Sequence, residues 1–116
     1  MAVQRIQVGP RMSQAVVHNG TVYLAGQVAL DNAGKPVGEQ TREILGRIDA
    51  LLATVGSSKS MLLSATIWLA DISTFAEMNA AWDAWVDPAN TPARATVEAK
   101  LAAPQFTVEI GVVAAL

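Results

Sequence analysis

Two charged side chains stand in β-rich runs where they could do chemistry. Arg94 lies in P-A-R-A-T-V-E, residues 92–98, among small and β-branched residues. Such an arginine either faces water or holds an anionic group, and a guanidinium grips a carboxylate bidentately and fixes its plane. Glu109 lies in T-V-E-I-G, residues 107–111. A carboxylate of this kind can take a proton from water and return one to a leaving group. On spacing alone the plainer reading of Arg94 is stronger by about two to one: a solvated strand charge pairing with Glu98 or another exposed acid. Glu109 on the same terms is an ordinary edge-strand charge.

The other chemistry-bearing residues form no constellation. There is no cysteine, which excludes disulfides and thiol nucleophiles. The one histidine, His18, abuts an Asn19-Gly20 turn without a partner pattern, and the sequence assigns it to solvent. No His or acid pair has metal-ligand spacing, so no metal and no cofactor is expected. Gly34 and Gly38 are turn glycines rather than a phosphate loop. Trp82 and Trp85, three apart, belong to a core or an interface far more often than to a cofactor site. Asn79, beside them, reads as structural first and as a cleft residue second.

The elements that must position Arg94 and Glu109 follow from periodicity. Residues 14–25, Q-A-V-V-H-N-G-T-V-Y-L-A, are two β-rich runs flanking Asn-Gly, a strong hairpin signal. A short strand over Val3–Val8 precedes them, and Gly9-Pro10 ends it. Residues 31–38 are a turn-rich loop. Ile44, Leu45, Ile48, Leu51, Leu52 and Val55 make one apolar stripe, which predicts a helix over 41–55 with Gly56 as its C′ residue. Residues 63–70 read as a strand. Thr74 to Glu77 fits a capping box opening a second helix, with Phe75, Met78, Trp82 and Trp85 on one face, and Asp87-Pro88 stops it. Two alternating runs close the chain: Ala93–Leu101, in which Arg94 and Thr96 share a face, and Phe106–Val113, in which Glu109 lies on the less apolar face. The order β-β-β-α-β-α-β-β predicts one α+β domain over residues 1–116, with two helices on one face of a sheet.

Composition bounds the partners. Hydrophobic residues make up 52% and charged residues 16% of the 116 residues. That is few charges for a soluble domain, and it points to surface buried against other copies of the chain. A net charge of −2 and a pI near 5.2, without a basic cluster, disfavour nucleic-acid binding. No apolar stretch resembles a signal peptide or a membrane span, so a soluble cytoplasmic protein is expected.

Taken in order, several short motifs resemble the Rid (YjgF) family of imine deaminases, a group also labelled L-PSP endoribonuclease. They are Val8-Gly9-Pro10, Ala25-Gly26-Gln27, Glu39-Gln40-Thr41, Gly56, Ala65-Thr66-Ile67-Trp68-Leu69, Asp71 to Phe75, Asn79, Pro92 to Val97 and Val108-Glu109-Ile110. The resemblance covers nearly the whole chain. It implies a chorismate-mutase-like fold and a homotrimer with clefts between subunits. It also implies hydrolysis of 2-imino or enamine acids to 2-keto acids and ammonia. In that scheme Arg94 grips the substrate carboxylate and Glu109 orients the attacking water, while groups near Thr96 and Gln27 hold the substrate nitrogen. Three positions depart from the family pattern. Ala25 replaces a serine, Thr96 replaces a cysteine, and Arg11-Met12-Ser13 replaces a tyrosine with one extra residue. Arg11 thereby becomes a second candidate for an acidic group of the substrate. The competing readings are a binding module that senses a small carboxylate without chemistry, a ribonuclease, and a regulatory partner of other proteins. The acidic pI and the lack of a His pair argue against the ribonuclease.

Overall fold

The Asn19-Gly20 turn sets the first hairpin. In the computed structural model, which describes residues 2–116, Asn19 and Gly20 have φ values of 52° and 75°. These are the two left-handed positions of a type I′ turn, whose twist matches the strands it joins. It links β2 (Ser13–His18) to β3 (Thr21–Leu24), and β1 (Gln4–Val8) pairs antiparallel on the other side of β2. A two-residue strand, β4 (Gln27–Val28), follows that the sequence pattern did not single out. Then come α1 (Val37–Thr54), β5 (Leu62–Leu69), α2 (Phe75–Trp85), β6 (Ala93–Glu98) and β7 (Val108–Ala115). The sheet runs β1-β2-β3-β7-β5-β6, with β4 also paired to β7. Among the described residues only β5 and β6 pair in parallel. A parallel pair needs a crossover, and α2 supplies it, so α2 covers the sheet beside β6.

One face of the sheet is dry. Val22, Leu24, Ile67, Leu69, Val108, Ile110 and Val112 point there and meet Ile44, Leu45, Ile48, Leu51 and Leu52 of α1. The helix ends as its sequence implies. Gly56 has φ 76°, Ser57 N–H donates to Leu52 O at 2.9 Å and Gly56 N–H to Ala53 O at 3.2 Å, the two bonds of a Schellman motif.

Two helix starts differ from the sequence reading. α1 begins at Val37 rather than at 41, because Glu77 of α2 accepts a 2.9 Å hydrogen bond from Gly38 N–H and caps it from outside. Glu77 is therefore not the partner of a Thr74 capping box, and Thr74 makes no side-chain cap. Asp71 opens the segment instead, accepting from Ser73 N–H at 2.9 Å. The last two strands are also shorter at their junction, and residues 99–107 form a loop. Gln40, fully buried, staples that loop to α1: it donates to Lys35 O and Gln105 O and accepts from Thr107 N–H.

Candidate functional site

Arg94 faces the helices. It pairs with Ala65 of β5, a buried residue, and in-register neighbours in a parallel pair share a face. Its guanidinium carbon lies 5.3 Å from the centre of the Trp82 ring and 5.8 Å from that of Phe75. Both distances are within cation–π range. Among the described residues no carboxylate lies within ion-pair distance of Arg94, so the pairing with Glu98 does not form. The cation is thus half-buried, within reach of two rings, and free to take an anion.

Two polar atoms on the elements around it are left open. Thr96 follows on the same face, paired with Ile67, and its Oγ1 is buried without a hydrogen-bond partner. Asn79 lies on α2 one turn from each ring, and its Oδ1 is buried and unpartnered as well. Buried polar atoms without partners are few in folded proteins, and each is costly unless something completes it. The sequence reading put Asn79 among structural residues first and in the cleft second. Its spacing, four after Phe75 and three before Trp82, was the available signal.

Glu109 is on the opposite face. It pairs with Trp68 of β5 and Val28 of β4, and that side of the sheet carries no helix. Gly26 makes room for it: a Cβ there would collide with Glu109 Oε2 and lie 3.0 Å from its Cδ. Gly111 lies against Trp68, whose ring atoms would stand 3.5 Å from an added Cβ, in ordinary contact. Glu109, Trp68, Gly26 and Gly111 therefore form one local cluster. The sheet registers also bring Val16, Tyr23, Ala95, Val97 and Val113 to this open face. Tyr23 is 49% and Val97 46% exposed, although a strand pattern alone would bury them.

The remaining candidates lie elsewhere. Gln27 pairs with Ile110, in the row Gln27–Ile110–Ile67–Thr96 across the sheet. That puts it on the helix face three strands from Thr96, about 14 Å away at the usual strand spacing. Its side chain is committed to Gln14 Oε1 at 2.9 Å and Ala25 O at 3.0 Å. Arg11 is exposed in the β1–β2 turn. Within one chain, then, Arg94 and Thr96 are together and Glu109, Gln27 and Arg11 are apart from them. Among the described residues no three His, Cys, Asp or Glu side chains gather where a metal could be held. Among the described residues no helix is long and apolar enough to cross a membrane.

Comparison with known proteins converges on one group. The family model described as endoribonuclease L-PSP matches residues 3–116. A RutC family protein of Haemophilus influenzae is 50% identical over 114 residues, covering 98% of both chains. The RutC family protein YoaB of Escherichia coli is 47% identical over the full length of both. Among solved structures, a YjgF family member from Neisseria meningitidis superposes with a TM-score of 0.95 at 44% identity, covering 99% of this chain and 95% of that one. A Rid family protein of Yersinia pestis, titled as being of unknown function, gives 0.88 at 29%, covering 99% and 100%. The mixed sheet with two helices on one face is the chorismate-mutase-like fold of these neighbours, and the chain belongs to the Rid/YjgF family.

Proposed function

We propose that this protein hydrolyses reactive 2-imino or enamine acids to 2-keto acids and ammonia, at a site shared by two copies of the chain in a homotrimer. The observation that carries this reading is the unpaired Arg94, within cation–π distance of Phe75 and Trp82, with unsatisfied acceptors on Thr96 of its own strand face and on Asn79 of the helix that carries both rings. An imino acid offers what that pocket lacks. Its carboxylate fits the guanidinium fork, and its N–H donors fit Asn79 Oδ1 or Thr96 Oγ1. The iminium carbon is already electrophilic, so hydrolysis requires a held carboxylate, a placed water and proton traffic.

Glu109 is the group suited to the proton work, and it is on the wrong face of its own chain. The open face around it supports a second copy docking there. It leaves Tyr23 and Val97 exposed, carries no helix among the described residues, and belongs to a chain with few charges. In such an assembly Glu109 of one copy meets the Arg94 pocket of the next. Water attacks the C=N carbon as Glu109 removes its proton. The proton passes to nitrogen to give a carbinolamine; Glu109 then takes the hydroxyl proton and delivers it to the amine, so that the C–N bond breaks as C=O forms and ammonia leaves the keto acid behind.

The test generates 2-imino acids in place with an amino-acid oxidase and follows their decay. The protein should accelerate decay, and Arg94→Ala should abolish the acceleration without changing oligomeric state. If an intact oligomer accelerates no imine, the chain is instead a module that binds a small carboxylate without chemistry, with Arg94 as the anchor.

A further inference from the structure

A second polar groove lies between β1–β2 and the C-terminal half of α1. It encloses about 400 Å³ and is lined by Gln7, Gln14, Gln27 and Arg47, with Leu30 and Leu51 among its apolar walls. On α1 the lining recurs at Arg47, Ala50, Leu51 and Thr54, one helical stripe. None of the residues around Arg94 takes part.

The hydrogen bonding of this groove fixes what it offers. Gln27 is 7% exposed, and its Nε2 donates to Ala25 O at 3.0 Å and Gln14 Oε1 at 2.9 Å. A backbone carbonyl only accepts, so the Gln27 amide cannot be flipped. Gln14 must then present its oxygen to Gln27. Both N–H groups of Gln27 are used, which leaves Gln27 Oε1 as an acceptor and Gln14 Nε2 as a donor on two hydrogen-bonded residues that both line the groove. Arg47 adds no net attraction for anions, because Glu43 at 2.6 Å and Asp31 at 3.3 Å neutralise it.

The backbone supplies an independent sign. Gln7 has φ 50° inside strand β1, a left-handed conformation that costs a non-glycine residue free energy. Ladder pairs flank it, Ile6 with Ala15 and Val8 with Ser13, and Gln7 itself is out of the ladder. That kink leaves the third carboxamide lining the groove.

From this donor and acceptor over an apolar wall, we infer that this groove binds a small neutral molecule with a cis-amide or ureido edge. The ligand's C=O accepts from Gln14 Nε2 and its N–H donates to Gln27 Oε1, while Leu30 and Leu51 cover its carbon skeleton. The site is separate from the Arg94 pocket, so it stands or falls independently of imine hydrolysis.

The test titrates ¹⁵N-labelled protein with 2-pyrrolidinone, a cis-lactam, and with N-methyl-2-pyrrolidinone, which lacks the N–H. The lactam should shift the side-chain amide resonances of Gln14 and Gln27 saturably, and the N-methyl compound should bind about fivefold or more weakly. Gln14→Ala and Gln7→Gly should each weaken lactam binding. Glycine suits the left-handed position, so a folding defect cannot explain a loss in Gln7→Gly, whose melting temperature should not fall. Arg94→Ala should leave lactam binding unchanged. No saturable shift, equal binding of the N-methyl compound, undiminished binding in Gln14→Ala, or loss in Arg94→Ala would each overturn the assignment.

Discussion

Gly26→Ala separates the placing of Glu109 from the folding of the chain. Gly26 has no left-handed φ, so alanine adds no backbone strain there. The new methyl would overlap Glu109 Oε2 and press on its Cγ at 3.3 Å. The carboxylate must retreat by about 1 Å to reach ordinary contact. Glu109 is a half-buried, flexible side chain on an open face, so it can move without unfolding anything. The stability change should stay under about 1 kcal/mol. A 1 Å misplacement of a reacting group costs about a hundredfold, on the order of 3 kcal/mol of transition-state stabilisation. Imine decay measured with Gly26→Ala should therefore show kcat down by about that factor and KM little changed, because Arg94 is untouched. Thermal melts and oligomeric state should match the parent. A variant that hydrolyses imines at the parent rate would refute the role given to Glu109.

Three further expectations follow from particular contacts. Phe75 is 37% exposed and lies under Arg94, so Phe75→Leu should barely alter stability and should raise KM two- to fivefold, about the worth of one cation–π contact, without lowering kcat. Glu77→Ala removes the cap on Gly38 N–H and should cost about 1 kcal/mol in a denaturant melt, whereas Thr74→Ala should cost little. Burial pushes the Glu43 carboxyl up, but hydrogen bonds from Arg47, Asn32 and the Asp31 and Asn32 amides outweigh it and hold the group below its ordinary 4.5. A lowered value in the folded state stabilises the protein above that pH and ceases to do so as pH falls through the lowered value. Melts in acid should show this loss, and Glu43→Gln should flatten that limb of the curve.

The sequence was most informative where a local signal has one structural answer. Asn19-Gly20 can hardly be anything but a primed turn, and the Ile44–Val55 stripe closed by Gly56 specifies a helix end to within a residue. The pattern failed where a neighbour decides. The first turn of α1 carries no stripe and forms because Glu77 reaches across from another helix. In β6 the alternation suggested that Ala93, Ala95 and Val97 turn inward. The parallel register with β5 turns Arg94 and Thr96 inward instead, and leaves the small apolar set on an open face. Within one chain that choice has no local cause. It becomes sensible if Arg94 needs a walled pocket and the open face needs a partner. The same register explains why Arg94 and Glu109, adjacent in chemistry, lie on opposite sides of one sheet. Face assignment across strands depends on pairing partners, which periodicity alone does not encode.

The central claim is that one copy contributes Arg94 and another contributes Glu109 to each site. Mixing Arg94→Ala chains with Glu109→Gln chains, after dissociating and reassembling them together, tests it directly. Each variant alone should be inactive toward imino acids. In a random equal mixture, about a quarter of the shared sites receive an intact Arg94 from one copy and an intact Glu109 from the next, so imine hydrolysis should return to about a quarter of the parent rate. If the mixture stays inactive while mixed oligomers are demonstrably present, both residues act within one chain or not at all, and the shared site is wrong.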